Sequence, residues 1–358
     1  MALLKEDFVY TESEDSEEKQ DLSILPIALF GIITDIQYAN VDDGQSYDKK
    51  RVRYYRNSLN LVREAVNNWK EIEKKFSKDF KFVIQLGDLI DAKSLAINDS
   101  NSAIERVTIE LNKLFSGNKE IHLPIFDEKN FPKILNLWGN HEMYNFKRQD
   151  LLKMDLNSAK LLNQSSSANY FFYDITDKLR LIGLDFYEYS CLGYDSDDEI
   201  YKQAHQFLTT HNKNEDLNSV DGLRGHAMRF SLFNGGLSQI QLEWLKNQLE
   251  SCKSLNKKAI VSGHIPIHPQ ACDIMCLAWN NKEVLELLWS FDRTVIAYFA
   301  GHDHKGGYFR DKYNIHHVTL SAVLETPPNS NAYATVKVYD NKISVEGVGK
   351  IGYYEIYF

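Results

Sequence analysis

Residues 80–91 read FKFVIQLGDLID, and this stretch decides the fold. Its first seven residues, FKFVIQL, have the length and apolar character of a buried strand, and they run directly into Gly87 and Asp88. A buried strand that ends in this way places the aspartate at the carboxyl edge of a sheet, where open α/β folds build their binding sites. The stretch therefore predicts an α/β fold with a polar site at the strand ends.

The same arrangement, an apolar run followed by a short polar segment, occurs four more times along the chain. The other segments are TDIQ (34–37) after ALFGII, GNHE (139–142) after KILNLW, GHIP (263–266) after KKAIVS, and GHDH (301–304) after TVIAYFA. A single aspartate after a strand is more often a turn residue or a helix cap than a ligand. Five such segments are not explained by chance, and we interpret them as parts of one site.

The side chains of these segments suit a binuclear metal centre. Carboxylate and amide oxygens combined with imidazole nitrogens favour a divalent ion of intermediate hardness such as Mn²⁺, and Mg²⁺, iron and Zn²⁺ tolerate the same mixture. Two ions about 3.5–4 Å apart need a shared anionic ligand, and Asp88, beside a glycine that lets the backbone approach, is the candidate. We expect one ion at Asp35, Gln37 and His304, the other at Asn140, His264 and His302, and Asp88 between them.

In their order along the chain, the five segments resemble the calcineurin-like metallophosphoesterase superfamily, whose pattern is DxH, GDxxD, GNHE, GHxP and GHxH. One position departs from that pattern, because Gln37 stands where most of the superfamily has histidine. Four further segments are GHIPIHP (263–269), CLAWN (276–280), FNGGLSQIQLEWL (233–245) and FAGHDHKGGY (299–308). With the glutamine, they make residues from about 30 to about 348 similar to the manganese-dependent ADP-ribose/CDP-alcohol diphosphatases.

The resemblance implies two facing mixed β-sheets flanked by helices, a four-layer α/β sandwich. The periodicity of the sequence is compatible with it, since apolar residues at helical spacing predict helices over 52–76, 103–115, 238–251 and 283–290. Toward the C-terminus the pattern changes to short strands, HHVTLSAV, AYATVKVYD and KISVEGV, which favours a mixed sheet over a purely parallel one.

The resemblance also assigns roles near the metal ions. It gives the metal to Asn140 and leaves His141 facing the substrate, where an imidazole can protonate a leaving oxygen or stabilise phosphoryl charge. Asp91 is expected to orient His141, and the alternative is that it only caps the following helix. Gln37 binds its ion directly or through water. Cys276 either lines the substrate cleft or is a small buried apolar residue.

The implied reaction is hydrolysis of the diphosphate bond of ADP-ribose and of CDP-alcohols such as CDP-choline and CDP-glycerol. Attack by a hydroxide that bridges two metal ions would give AMP or CMP and a phosphorylated sugar or alcohol. The sequence does not choose among ADP-ribose, cyclic ADP-ribose and CDP-alcohols, nor among the aromatic residues that could stack on the base. Those candidates are Tyr38, Tyr47, Phe186, Tyr187, Phe233 and Trp279.

Two alternatives from other classes remain open. Another binuclear metallophosphoesterase, either a cyclic nucleotide phosphodiesterase or a phosphoprotein phosphatase, would share all five segments. A non-catalytic protein-interaction module could use the same fold, although an intact ligand set argues against it. Substrate profiling separates the two enzymes.

Composition and charge bear on the partners and the cellular location of the protein. The chain has 358 residues and a net charge of −9, which offers little attraction to nucleic acid, and 43% of its residues are hydrophobic. No apolar stretch approaches the roughly 20 residues that cross a bilayer. Four cysteines without CxxC spacing predict free thiols and a cytoplasmic protein, which we expect to be a monomer.

The five segments must converge, so we expect one catalytic domain over residues 25–358. The acidic segment TESEDSEEKQD belongs to a tail, residues 1–24, that is predicted to be disordered. A polar and irregular insertion is expected near 187–229, and it either supplies substrate contacts or is only an elaborated loop.

Overall fold

A computed structural model describes residues 25–76, 80–116, 124–127, 129 and 131–358, so the tail predicted over 1–24 lies outside the described residues. The strands are β1 (Ala28–Ile33), β2 (Gly44–Gln45), β3 (Val52–Arg53), β4 (Phe80–Gln85), β5 (Ile134–Asn136), β6 (Phe171–Thr176), β7 (Leu179–Gly183), β8 (Lys258–Ser262), β9 (Val295–Ala300), β10 (Gly307–Arg310), β11 (His316–Thr319), β12 (Ala332–Val338), β13 (Lys342–Gly349) and β14 (Tyr353–Tyr357). The helices are α1 (Asn57–Phe76), α2 (Lys93–Ala96), α3 (Ser100–Asn112), α4 (Asn140–Asn145), α5 (Arg148–Leu151), α6 (Ser158–Leu161), α7 (Glu199–His211), α8 (Gln239–Ser254) and α9 (Asn281–Trp289).

Twelve of these strands form two six-stranded sheets, and both sheets are mixed. The first has the order β14-β13-β12-β1-β4-β5, in which β1, β4 and β5 run parallel and β12 to β14 antiparallel to their neighbours. The second has the order β10-β11-β9-β8-β7-β6, with four parallel strands between two antiparallel edges. Helices flank the sheets, so the predicted fold class is confirmed.

The core lies between the sheets and under the helices. Strands β1 and β9 are buried at every position, as expected for central strands that are covered on both faces. The sheets contact each other through large side chains, for example Phe82 of β4 and Tyr173 of β6, whose ring centroids are 5.0 Å apart. One hydrophobic cluster runs through both sheets, from Ala28 to Ile356. This packing holds the carboxyl ends of β1, β4, β5, β8 and β9 at fixed positions.

The apolar face of α1 is anchored by Trp69, which is fully buried. Its ring lies over Gly31 of β1, where an added Cβ would come within 2.8 Å of the indole, and it meets the ring of Tyr333 of β12 at 5.3 Å. The glycine therefore allows the helix to pack closely on the strand that leads to Asp35.

Trp69→Ala is expected to destabilise the fold by about 3–5 kcal/mol, the usual cost of truncating a buried tryptophan and leaving a cavity. Trp244→Ala is the matched control, because Trp244 lies on α8 and is only partly buried, against Tyr170. Denaturant unfolding of both variants checks the prediction. An equal loss of unfolding free energy in the two variants would contradict it.

Three expectations about secondary structure need correction. The first helix begins at Asn57, not at residue 52, because Val52 and Arg53 pair with Gly44 and Gln45 as a small hairpin. The second helix spans residues 100–112, three residues earlier than expected. The stretch 187–229 is not irregular throughout, since it contains α7 and a 3₁₀ helix over residues 225–229.

Helix α7 was missed because most of its surface is polar and only a narrow stripe is buried. Ala204 and Leu208 form that stripe, and they pack in a small hydrophobic cluster with Cys191, Phe230 and Trp279. All four cysteines, which lie in the described part of the chain, are unpaired, as predicted. Among the described residues there is no helix with the length and hydrophobicity needed to span a membrane.

Candidate metal centre

The five polar segments meet at the carboxyl ends of the strands. Asp35 N donates to Gly87 O at 3.1 Å, which joins the segments that follow β1 and β4. Gly301 N donates to His264 O at 2.9 Å, which joins those that follow β9 and β8. His302 N donates to Asp35 Oδ2 at 3.0 Å and connects the two sheets. Strands far apart in sequence thus deliver their polar residues to one place.

The backbone at the site is unusual. Asp35, Gln37, Asp88 and His302 all have positive φ, between 41° and 67°, a region that non-glycine residues enter rarely. Gly87 has φ 110°, and a Cβ there would lie 2.3 Å from His264 Nδ1. The sharp turns after the strands aim the side chains inward, and the glycine lets the histidine approach.

The first expected ligand group surrounds one edge of Asp88. Gln37 Nε2 lies 2.8 Å from Asp88 Oδ2 and 3.0 Å from His304 Nε2, and rotating the amide by half a turn would place its oxygen there instead. His304 Nε2 lies 3.5 Å from Asp35 Oδ1. Burial opposes protonation of His304, but its contacts with Asp35 and Glu325 outweigh burial and raise its pKa to about 9.

The second expected group contacts the same oxygen of Asp88, Oδ2. His264 Nε2 is 3.5 Å from Asp88 Oδ2, and the rings of His264 and His302 are 5.0 Å apart. Asn140 begins α4, and its Oδ1 accepts a hydrogen bond from Tyr187 at 3.3 Å. The six other side chains predicted as ligands are therefore gathered around the carboxylate of Asp88.

The charges at the centre favour cations. Burial alone would raise the pKa of Asp88, but His264 and His141 outweigh it and hold that pKa well below its usual range. Burial likewise opposes a charge on His264, yet Asp88 raises its pKa to about 9. Burial and the neighbouring His264 lower the pKa of His302 to about 3, which keeps it neutral and able to bind a metal.

Buried polar atoms that lack a hydrogen-bond partner test whether metal ions fit between the expected ligands. Asp35 Oδ1, Gln37 Oε1 and His264 Nε2 are buried and make no hydrogen bond with any residue that the structure describes. Isolated atoms of this kind occur elsewhere in the described chain, but three of them close to one carboxylate are what a site that holds positive ions would leave. The donor set of oxygens and imidazoles fits two divalent ions.

A second cluster, His268, Asp311 and His317, behaves differently. Asp311 Oδ2 accepts from Trp289 Nε1 at 2.8 Å and from His317 Nε2 at 3.0 Å. Its Oδ1 accepts two backbone N–H groups at 2.9 Å, so this carboxylate is fully hydrogen-bonded. The cluster is a structural network that ties α9 to β10 and β11.

Several supporting residues escaped the sequence prediction. Glu142, buried within the GNHE segment, accepts from Asp88 N at 2.9 Å and Gly139 N at 2.7 Å, and burial together with Asp88 raises its pKa to about 7. Asn234 Oδ1 lies 2.7 Å from His302 Nε2. Glu325 Oε1 lies 2.8 Å from His304 Nδ1. The first two lie in segments already singled out, whereas no pattern marked Glu325.

His141 and Asp91 adjoin the expected metal ligands. His141 Nδ1 accepts from Ala92 N at 3.0 Å and lies 3.3 Å from Asp91 Oδ2. Asp91 Oδ1 accepts from Lys93 N at 2.9 Å, so the same carboxylate both caps the turn before α2 and faces the imidazole. The two alternatives for Asp91 are thus compatible with each other.

A cavity of about 430 Å³ opens above the centre. The residues predicted as ligands that line it are Gln37, Asp88, Asn140, His302 and His304, and its other walls come from Tyr47, Arg53, His141, Tyr144, Asp216, Asn218, Ser219, Val220, Asp221, Phe233, Met275 and Cys276. The region near 187–229 thus contributes to the wall, and Cys276 lines the cleft. Of the aromatic candidates for stacking, Tyr47 and Phe233 line the cavity, whereas Trp279 is buried under α7.

The chain is similar to several known proteins. The chain matches the family model of the calcineurin-like phosphoesterases over residues 28–306. The manganese-dependent ADP-ribose/CDP-alcohol diphosphatase of Bos taurus is 38% identical over 331 residues, which cover 90% of this chain and 91% of that protein. The protein of the same name from Arabidopsis thaliana is 34% identical, covering 91% and 96%. A crystal structure of a dimetal phosphatase from Danio rerio superimposes with a TM-score of 0.83 at 35% identity, over 93% of this chain and 99% of that one.

Proposed function

The chain belongs to the calcineurin-like phosphoesterase family, and from that premise we propose that it hydrolyses the diphosphate bond of ADP-ribose and CDP-alcohols with the help of manganese. The observation that carries the proposal is the group of three unsatisfied ligand atoms near Asp88, which itself lines a cavity of about 430 Å³. That volume is typical of small-molecule sites. The names of relatives that are 34–38% identical over most of the chain support the substrate class.

The proposed ligands are those of the two groups described above, with Asp88 shared between the ions. Two bound divalent ions would stabilise negative charge on the phosphoryl oxygens and lower the pKa of a water molecule at the site. Asp88 is held in place by backbone contacts, since its Oδ1 accepts from His141 N at 2.9 Å and its own N–H donates to Glu142. The chain thus holds the negative charge of Asp88 in a fixed position for the two ions.

His141 is proposed to protonate the leaving phosphate oxygen. Because its Nδ1 accepts the Ala92 N–H, the neutral ring carries its hydrogen on Nε2, which lies 4.0 Å from Asp88 Oδ2 beside the cavity. When the ring is charged, Asp91 offers its second oxygen to Nδ1. Arg53, also in the cavity wall, would neutralise part of the charge of the diphosphate.

The products follow from the bond that is cleaved. ADP-ribose would give AMP and ribose 5-phosphate, and CDP-choline or CDP-glycerol would give CMP and the phosphorylated alcohol. Tyr47 and Phe233 are placed to stack on a base. The intact ligand set argues against an interaction module.

Substrate profiling tests the proposal. Metal-stripped protein is given Mn²⁺ or Mg²⁺ and then ADP-ribose, CDP-choline, a cyclic nucleotide or an aryl phosphodiester. We expect manganese-dependent release of AMP and CMP. Activity on the cyclic nucleotide or aryl ester alone would keep the metal centre and overturn the proposed substrate class.

Gln37→His is expected to retain two metal ions but to raise the affinity for Zn²⁺ relative to Mn²⁺ by about tenfold, since imidazole suits Zn²⁺ better than an amide does. Calorimetric titration with each metal checks this. Gln203→His, an exposed change on α7, is the control. If metal preference and the ratio of activities on the substrates were all unchanged, Gln37 would have no tuning role.

The proposal also includes the domain organisation, the cellular location and the oligomeric state of the enzyme. A single catalytic domain over residues 25–358, working as a cytoplasmic monomer, accords with the continuous core and the four unpaired cysteines. Size-exclusion chromatography with light scattering measures the oligomeric state. A dimer mass would contradict this part of the proposal.

A further inference from the structure

Glu325 is a buried glutamate in the loop between β11 and β12, and the proposed reaction gives it no role. Its side chain is fully buried, which glutamate tolerates only when it is paired. Oε1 lies 2.8 Å from His304 Nδ1, and Oε2 lies 3.0 Å from Arg51 Nε. Arg53 Nε donates to Oε1 at 3.4 Å. One carboxylate therefore contacts a proposed metal ligand and two arginines.

The contact with His304 sets which ring nitrogen carries the hydrogen. A neutral imidazole has one N–H, and Nδ1 faces a carboxylate oxygen, so the hydrogen resides on Nδ1. Nε2 then turns its lone pair toward Gln37 and Asp35, at 3.0 Å and 3.5 Å. Glu325 thus orients the imidazole in the form that binds a metal.

The contact with Arg53 is made by the same carboxylate oxygen, Oε1. Arg53 lines the cavity with 23% of its side chain exposed, and it reaches Glu325 through Nε. The guanidinium also hydrogen-bonds Tyr55, and its remaining terminal N–H groups can reach an anion in the cavity. Tyr54 N donates to Leu324 O at 2.8 Å, which fixes the end of the β2–β3 hairpin beside Glu325.

We propose that Glu325 is a positioning residue with two functions: it orients His304 toward a metal ion and it holds Arg53 against the diphosphate of the substrate. The second function rests on the proposed reaction, whereas the first requires only that the site binds metal. Metal affinity and substrate affinity would then depend on the same buried carboxylate.

Glu325→Gln separates this proposal from a purely structural role. Glutamine keeps the volume and an acceptor oxygen but removes the charge that pairs with the arginines. We expect the affinity for one of two Mn²⁺ ions to fall about tenfold and the KM to rise, as for other residues that support metal ligands. Arg53→Gln should raise the KM and leave metal affinity unchanged. In the double variant, the two effects on KM should not add, because both act through one contact.

Glu110→Gln is the matched control. Glu110 is also buried and pairs with two cations, Arg63 at 3.0 Å and Lys113 at 2.8 Å, but it lies outside the cavity. We expect it to leave Mn²⁺ affinity and KM unchanged. The proposal would be overturned if Glu325→Gln kept the wild-type Mn²⁺ affinity and KM, or if Glu110→Gln changed both quantities as much as Glu325→Gln does.

A measurement on the wild-type protein does not depend on whether the variants fold. In the magnesium-loaded protein, nitrogen NMR should report His304 with its hydrogen on Nδ1, and a hydrogen on Nε2 would overturn the orienting role. Calorimetric titration with Mn²⁺ needs no substrate. A loss of metal affinity in Glu325→Gln would therefore stand even if ADP-ribose and CDP-choline proved not to be substrates.

Discussion

Asp88→Asn is expected to empty the metal centre and to lower turnover by about a thousandfold or more. A metal ion contributes several kcal/mol to stabilisation of the transition state, and each 1.4 kcal/mol corresponds to about tenfold in rate. Asp88 Oδ2 lies 2.8 Å from Gln37 Nε2 and 3.5 Å from His264 Nε2, and Asp88 Oδ1 accepts the backbone N–H of His141 at 2.9 Å. Asparagine keeps the shape but removes the negative charge that two cations would share.

Metal content by elemental analysis and turnover of ADP-ribose measure this effect. Asp311→Asn is the matched control, because Asp311 is also a buried aspartate with histidine and backbone partners, in the structural network beside β10. We expect Asp311→Asn to lower the melting temperature while the two Mn²⁺ ions remain. Retention of both ions in Asp88→Asn would show that Asp88 does not bridge them.

His141→Ala is expected to leave metal content nearly intact and to lower kcat by about 10²–10⁴-fold, the usual contribution of a positioned acid. The side chain lies beside the centre, with Nε2 4.0 Å from Asp88 Oδ2, while the neighbouring Asn140 is the residue assigned to the metal. Removing the imidazole therefore removes the proton donor without removing a ligand.

The nature of the leaving group sharpens this test. A phenoxide, whose conjugate acid has a pKa of about 10 as in tyrosine, needs protonation to leave far more than a nitrophenoxide does, so His141→Ala should slow hydrolysis of a phenyl phosphodiester far more than that of a nitrophenyl phosphodiester. Asp91→Asn serves as the comparison, because it weakens only the support at Nδ1 and should cost about 10–100-fold. Equal losses on both substrates, or loss of metal from His141→Ala, would contradict the assignment of His141 as the acid.

The sequence was informative about the metal centre because each proposed ligand belongs to a local pattern. An apolar strand, a turn and a polar side chain occupy fewer than a dozen neighbouring residues, and parallel strands bring such turns to one edge of a sheet. The glycine before Asp88 marked a close backbone approach, and the structure has it at φ 110° against His264. Element boundaries were less certain, since Val52 and Arg53 fit a helical pattern but pair with Gly44 and Gln45.

Neither helix α7 nor the residues that hydrogen-bond the proposed ligands could be derived in this way. Most of α7 is polar, and only Ala204 and Leu208 form an apolar stripe. These two residues pack with Trp279, which lies far along the chain. The support of His302 by Asn234 spans 68 residues. Such pairs depend on which loops pack together, and no local periodicity encodes that.

By itself, the sequence determined the α/β class, the five polar segments and the side chains capable of holding two divalent ions, because strand and turn propensities act over short distances. Only the tertiary structure decided which atoms remain unsatisfied around Asp88, and that Glu325 joins His304 to Arg53. The physical reason is that a hydrogen bond or ion pair depends on distance in space. The packing of two sheets sets that distance for residues that lie far apart along the chain.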